Sequence, residues 1–141
     1  MNNSPRVSLL LSQALGLYRL RINALLIQHN IDLTSEMCTV LRILWKKEGR
    51  KQQELADILC KDKGSITKII DNLEKRELVE RVTDAEDARN KNIVLTAQGK
   101  AMKKKVVPLL DGFLDSVIDH ASQADLEATR RVLTGIIQKL K

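Results

Sequence analysis

Three side chains that can hydrogen-bond to nucleic-acid bases recur at helical spacing in the middle of the chain. Ser65, Lys68 and Asn72 stand at positions i, i+3 and i+7, which places them in one line on a helix surface. Asparagine binds adenine through two hydrogen bonds, lysine reaches O6 and N7 of guanine, and serine suits phosphates or base edges. Thr67 lies beside this line and adds a second hydroxyl group. The pattern predicts a helix face that reads a DNA groove, with a solvated helix face as the alternative.

A second set of candidate contacts lies in two places. One is the start of the preceding helix, and the other is a charged loop that follows the base-reading helix. Gln52 and Gln53 open a short predicted helix behind Lys51, and a helix N-terminus presents free N–H groups and a positive dipole to phosphate. Arg89 lies in the loop, and an arginine on a hairpin tip fits the minor groove, where the potential is most negative. Asp87 is expected to orient the Arg89 guanidinium or to close the loop. The complete set of predicted DNA contacts is Lys51, Gln52, Gln53, Ser65, Thr67, Lys68, Asn72, Asp87, Arg89 and Lys91.

Basic charge is concentrated in the same part of the chain. The net charge is +6, and residues 46–105 hold 16 Lys and Arg against 11 Asp and Glu. Such a focus is the footprint of a polyanion partner, although on charge alone a solvated basic face explains it equally well. Asp71 and Glu74 lie where phosphates would repel them, so we expect them to pair with neighbouring cations. The aromatic share of 2% argues against a stacking platform for single-stranded bases.

The spacing of apolar residues predicts the helices that hold these side chains. Thr34 and Ser122 are good N-caps, and Pro108 should kink or break the long helix in which it stands. In the third helix, Leu55, Ile58 and Leu59 are expected to face inward. Helices are predicted over 7–29, from 34 to a stop at 49, over 52–60 and 64–76, from 96 onward, and from 122 to the end.

The pattern changes after the fourth helix. Residues 78–82 and 92–95 have the composition of short strands and enclose a polar loop, which predicts a hairpin with a charged tip. Asp84 is expected to begin the turn of that loop. Two short helices joined by a tight turn, the second with a polar outer face, form a helix-turn-helix, and the hairpin adds a wing to it.

Several motifs in this ordered set resemble the MarR family of bacterial transcription regulators. The helical motifs are Leu33-Thr34 through Leu44, Glu54-Leu55-Ala56, and the run from Ser65 to Lys75. The hairpin motifs are Leu78-Val79-Glu80-Arg81, Asp84-x-x-Asp87-x-Arg89, and Leu95-Thr96-x-x-Gly99. The family commonly has glycine where this chain has Glu77, so either a positive φ strains Glu77 or the turn differs.

The resemblance implies a mainly α fold with a small β-hairpin wing. It implies one domain over 1–141, with a winged helix-turn-helix lobe over 34–95 and a helical dimerisation lobe over 1–33 and 96–141. It also implies a homodimer that presents two winged helices to a palindromic operator in double-stranded DNA, more often as a repressor. The sequence supports the dimer independently, because the first and last helices are too apolar for a small winged-helix lobe to cover.

The resemblance further implies a small aromatic effector in many members and cysteine oxidation in others. Tyr18, Arg21 and Trp45 are the expected lining of an effector crevice. Cys38 is expected to be a buried structural thiol. Cys60 stands close to two lysines, whose charges favour a reactive thiolate, so a redox role stays open there beside an inert one.

Other classes of protein are disfavoured. The sequence contains no nucleophile elbow, phosphate-binding loop or dinucleotide fingerprint, and no Cys or His spacing typical of zinc, so we expect no enzyme, no cofactor and no metal. No apolar run approaches the roughly 20 residues of a membrane span, no signal-peptide layout is present, and two cysteines make no disulfide framework. A cytoplasmic protein is therefore expected.

The leading interpretation is a sequence-specific, DNA-binding transcription regulator. One alternative uses the same winged helix as a protein-interaction module. The other is a thiol-based redox-responsive regulator, or a redox enzyme, that uses Cys60.

Overall fold

The computed structural model describes residues 4–141, with side chains from Arg6 onward. Residues 1–3, which belong to the predicted dimerisation lobe and to the segment judged to lack a signal peptide, lie outside the described residues. Within this range the chain forms six helices and three strands, in agreement with the predicted fold class. The elements are α1 (Ser4–Gln28), α2 (Ser35–Lys46), β1 (Arg50–Lys51), α3 (Gln52–Leu59), α4 (Lys63–Lys75), β2 (Val79–Thr83), β3 (Lys91–Leu95), α5 (Ala97–Ile118) and α6 (Gln123–Leu140).

Side-chain caps fix where several helices begin. The Thr34 hydroxyl accepts from the backbone N–H of the third residue after it at 3.2 Å, and the Ser122 hydroxyl does the same at 3.1 Å, so both predicted N-caps are confirmed. α4 begins at Lys63, one residue earlier than predicted, because an Asp62 carboxylate oxygen accepts from the Ser65 N–H at 2.7 Å. The same hydrogen bond lowers the pKa of Asp62 below its usual range.

Three helices end in the same type of backbone motif, and in each of them a residue other than glycine stands at the position with positive φ. Asn30, Cys60 and Glu77 have φ angles of 56°, 54° and 59°, in the left-handed region that glycine adopts without strain. After α4, the Leu78 N–H donates to the Leu73 carbonyl at 3.1 Å, as in a Schellman motif. Of the two alternatives stated for Glu77, a strained positive φ or a different turn, the structure shows the positive φ. The equivalent bonds run from Ile31 to Leu26 and from Lys61 to Ala56, each at 2.9 Å.

The winged-helix core is built from apolar faces of α2, α3, α4 and the strands. Leu44, Ile70 and Ile93 are at most 1% exposed and represent this core. In α3 the buried pair is Leu55 and Ala56, while Ile58 is 46% exposed. The prediction that Ile58 faces inward was therefore wrong. The core-facing stripe of α3 runs through Leu55, Ala56 and the half-buried Leu59, and helical geometry leaves Ile58 to one side of it.

A small antiparallel sheet forms the wing. β2 and β3 pair from Val79 opposite Leu95 to Thr83 opposite Lys91, which confirms the predicted hairpin. β1 adds a third strand on the other edge of β3, so the order is β1-β3-β2. This two-residue strand was not predicted. It packs the segment immediately before α3 against the wing, and Arg50 lies opposite Ile93.

The start of α5 is held to the end of α4 by a dense set of hydrogen bonds. The Thr96 hydroxyl donates to the Glu77 carbonyl at 2.6 Å and accepts from the Gly99 N–H at 3.0 Å. A Cβ atom at Gly99 would collide with the Leu78 carbonyl oxygen, so this position requires glycine. The Trp45 indole N–H donates to the Gly99 carbonyl at 2.9 Å. We call this arrangement of residues 45, 77, 78, 96 and 99 the α5 junction.

The chain divides into two compact units, which meet in sequence at Val107 and Pro108. α5 continues as one helix through Pro108, so of the two predicted effects the break is absent and the kink stays a prediction. Among the described residues, the exposed large apolar side chains lie on α1, α5 and α6, apart from Ile58 and Val82. No helix in residues 4–141 is long and apolar enough to cross a membrane.

Candidate nucleic-acid interface

The outer face of α4 presents the predicted base-reading side chains to solvent. Lys68 is exposed and Asn72 is half-buried, and they stand one helical turn apart. Within the described residues, neither side chain makes a hydrogen bond or ion pair to the protein. Their donors and acceptors are therefore available to a partner.

Three other predicted contacts are already engaged within the protein. The Gln52 side-chain amide donates to the Thr67 hydroxyl oxygen at 2.9 Å, and that hydroxyl donates to the Lys63 carbonyl at 2.7 Å. The Ser65 hydroxyl donates to a carboxylate oxygen of Asp62 at 3.0 Å. Because these donors are already used within the protein, Gln52, Ser65 and Thr67 offer a partner less than the sequence suggested.

The acidic residues of α4 are paired by an arginine of the wing. Arg81 places its guanidinium 2.7 Å from Asp71 and 2.8 Å from Glu74. This confirms the prediction that the two carboxylates pair with cations. The cation itself was not identified from the sequence, because β2 brings it to α4 only in the folded chain.

A polar cleft collects most of the remaining candidates. It has a volume of about 230 Å³ and lies where the start of α3, the start of α4 and the wing meet. Five predicted contacts line it, and Lys63 and Asn90 join them although neither was predicted. A surplus of cations around one cleft is an electrostatic match for phosphate. The lining residues are Lys51, Gln52, Gln53, Lys63, Ile66, Arg89, Asn90 and Lys91.

The wing tip is folded around Asp87. Its carboxylate accepts from the Arg89 backbone N–H at 3.1 Å and from the Arg89 guanidinium at 3.2 and 3.3 Å. These hydrogen bonds lower the pKa of Asp87. Asp84 begins the turn, because its carboxylate accepts from the Glu86 N–H at 3.0 Å. Asp87 therefore both orients the guanidinium and closes the loop, and the Arg89 side chain stays 91% exposed.

The residues predicted for an effector crevice lie in three different settings. Tyr18 is half-buried, and burial raises the pKa of its phenol. Trp45 belongs to the α5 junction, and Arg21 is exposed. The crevice stays a prediction.

The two thiols are in opposite surroundings. Cys38 is 2% exposed, and burial raises its pKa to about 12, as expected for a structural thiol. Cys60 is exposed. Among the described residues, no group of three or more His, Cys, Asp or Glu side chains could hold a metal ion.

Comparison with known proteins gives one consistent result. The sequence profile of the MarR family matches residues 33–91. The HTH-type transcriptional regulator TtmR of Methylorubrum extorquens is 35% identical over 75 residues, which cover 53% of this chain and 38% of TtmR. The transcriptional regulator HosA of Escherichia coli O127:H6 is 29% identical over 101 residues, 71% of this chain and 75% of HosA. The crystal structure of a Staphylococcus aureus MepR–DNA complex is similar with a TM-score of 0.83 at 25% identity, covering 94% of this chain and 96% of that chain.

Proposed function

Because this chain belongs to the MarR family of transcriptional regulators, we propose that it binds double-stranded DNA sequence-specifically as a homodimer. In this proposal each subunit presents one winged helix to half of a palindromic operator, and binding represses transcription. A protein that acts on the chromosome in this way works in the cytoplasm.

The observation that carries the proposal is the polar cleft together with the two unpaired polar side chains on the outer face of α4. Lys63 and Arg89 line the cleft, while Lys68 and Asn72 project from α4 without protein partners among the described residues. Cations that contact phosphate supply affinity, and side chains that reach base edges supply specificity. The structure of MepR, which is similar to this chain and was solved in complex with DNA, supports DNA as the partner.

The exposed apolar residues support the homodimer. Leu10, Leu17 and Leu20 on α1 are 62%, 59% and 63% exposed, and apolar side chains are exposed on α6 as well. Exposed apolar patches on this scale mark interaction surfaces, and a two-fold dimer is the commonest closed assembly. Two recognition helices related by such an axis suit half-sites about 10–10.5 base pairs apart.

The test uses DNA that the wild-type protein selects from a random 30-base-pair library at about 150 mM salt, where non-specific binding is weak. We expect a near-palindrome, and we expect Arg89→Ala to bind it at least about tenfold more weakly, because the variant loses a minor-groove contact. The fold should survive, since the side chain is 91% exposed.

Arg130→Ala is the matched control, because Arg130 is also an exposed arginine with an acidic partner, Glu127, three residues before it. It should bind like wild type. Equal affinity of wild type and Arg89→Ala would remove the wing from the interface. If wild type selects no sequence, the winged helix is better explained as a protein-interaction module.

Regulation by a small aromatic compound rests on the family resemblance alone. Tyr18, Arg21 and Trp45 are the residues that this part of the proposal names. Redox control through Cys60 is the second regulatory proposal, and the exposure of this thiol is the observation in its favour.

A further inference from the structure

The side chain of Arg81 joins three elements of the candidate interface. It stands on β2, is 19% exposed, and makes ion pairs to Asp71 and Glu74 of α4. Its Nε also donates to the Gln52 side-chain oxygen on α3 at 3.2 Å, and Nη2 donates to the Thr67 carbonyl at 3.4 Å. The guanidinium therefore connects the wing, the helix before the turn and the recognition helix. We call these five residues the Arg81 network.

The network also decides how Gln52 is oriented. Because the Gln52 oxygen accepts from Arg81, its NH₂ group is directed to the Thr67 hydroxyl, which it reaches at 2.9 Å. That hydroxyl in turn donates to the Lys63 carbonyl in the first turn of α4. One guanidinium thus fixes a chain of hydrogen bonds that ends at the N-terminus of the helix carrying Lys68 and Asn72.

Charge and geometry act together in this arrangement. The two carboxylates lie on the DNA-facing helix and would repel phosphate if left unpaired, and a single positive charge between them reduces that repulsion. A lysine would keep the charge but not the planar fork that reaches several acceptors in fixed directions. The two contributions can therefore be separated by substitution.

We propose that Arg81 is a positioning residue that holds α3, α4 and the wing in the arrangement required for sequence-specific binding. The proposal rests on the proposed function, since it concerns how the DNA-reading face is held. Arg81 itself is assigned no contact to DNA. Its loss should therefore reduce discrimination between sequences more than it reduces binding to DNA in general.

The experiment compares affinities for two duplexes: the one that wild-type protein selects from the random library, and a scrambled duplex of the same composition. For Arg81→Lys we expect roughly tenfold weaker binding to the selected duplex and little change, about twofold or less, for the scrambled one, because surface phosphate contacts are intact. The salt dependence should also keep its slope, which counts phosphate contacts.

Arg76→Lys is the matched control. Arg76 is also an arginine at α4 with a carboxylate partner, Asp32, at 3.1 Å, but it does not belong to the Arg81 network. If Arg76→Lys reduces discrimination as much as Arg81→Lys does, the effect is general loss of stability and the proposal is wrong. Unchanged discrimination in Arg81→Lys also overturns it.

Gln52→Ala provides a second route if Arg81→Lys does not fold. It removes one arm of the network from the first residue of α3, where the side chain is half-buried, and we expect it to reduce discrimination in the same direction. Where Arg81→Lys does fold, the losses in the variant that combines it with Gln52→Ala should be less than additive, because both act on one set of hydrogen bonds. No loss in Gln52→Ala, or strict additivity with Arg81→Lys, contradicts the proposal. If wild type selects no duplex at all, the proposed function fails and this inference fails with it, an outcome distinct from a selected duplex that Arg81→Lys still recognises.

Discussion

The two cysteines show how burial separates side chains of the same type. The pKa of Cys38 rises from about 9 to about 12 because burial disfavours the charged thiolate. The unfolded chain releases that proton at a lower pH than the folded chain does, so the folded state binds more protons between those values. The Cys38 contribution to the free energy of unfolding should therefore fall as the pH rises from about 9 to about 12.

Thiol labelling tests this difference. Since thiolate is the reactive form, Cys60→Ser protein should react very slowly with a thiol reagent at pH 8, and should release one equivalent of reactive thiol in denaturant. Cys38→Ser protein, which keeps the exposed thiol, should react in native buffer. Rapid labelling of folded Cys60→Ser protein would show that Cys38 is accessible.

Residue types in sequence identified most of the candidate interface but not what each side chain is bonded to. The spacing of Lys68 and Asn72 was sufficient to place both side chains on one face of α4, because the neighbours on a helix face follow from helical geometry. The partners of Gln52 and Thr67 could not be predicted, because the Arg81 network joins residues on three elements. Lys63 and Asn90 were missed for the same reason: their place in the cleft depends on how the wing folds back beside α3.

At the scale of elements, backbone strain lies at the ends of three helices. Three Schellman motifs place Asn30, Cys60 and Glu77 at positive φ. A non-glycine residue in this region costs on the order of 1 kcal/mol, and asparagine tolerates it better than the other two. The two helices of the helix-turn-helix therefore both end in a strained residue.

Glu77→Gly should relieve that strain. We expect the free energy of unfolding to rise by about 1 kcal/mol, somewhat less if glycine makes the unfolded chain more flexible. Chemical denaturation at a fixed protein concentration measures the change. Glu77→Ala is the control, because it removes the same charge and keeps the Cβ atom; an equal gain in that variant would mean that charge, not φ, was responsible.

The fold could be predicted where apolar periodicity was strong and was missed where elements were short. α1, α2, α4 and the hairpin carry clear patterns, and their bounds lie within a few residues of those predicted. β1 has two residues, too few for an alternation of apolar and polar residues to appear. It forms because its backbone pairs with the free edge of β3 in the wing. Pro108 did not end α5, although proline removes one hydrogen bond from a helix. At that position the helix continues despite the local preference of proline against it.

At the scale of the whole molecule, a single chain leaves many large apolar side chains in contact with water. They are concentrated on α1, α5 and α6, while the winged-helix part of residues 4–141 exposes only Ile58 and Val82 in this class. Burial of apolar area contributes roughly 25 cal/mol per Å², so covering these side chains would stabilise an assembly.

Charged substitutions on α1 test the homodimer. We expect Leu10→Lys combined with Leu17→Lys to give a monomer by sedimentation equilibrium and to weaken binding to the selected duplex, because two linked half-sites bind more tightly than one. Ile58→Lys is the control, since Ile58 is also an exposed large apolar residue, at 46%, but lies on α3. A dimer that persists in the double variant would place the interface elsewhere.

The α5 junction gives this protein a reporter of its own. Trp45 is the single tryptophan of the chain, and its indole N–H is bonded to the carbonyl of the glycine that the junction requires. Indole emission responds to polarity and hydrogen bonding, so the intrinsic fluorescence of the unlabelled protein follows the contact between the end of α2 and the start of α5. The emission of Trp45 can therefore be followed during titrations with DNA or with small molecules, and it reports changes at the α5 junction without an added dye.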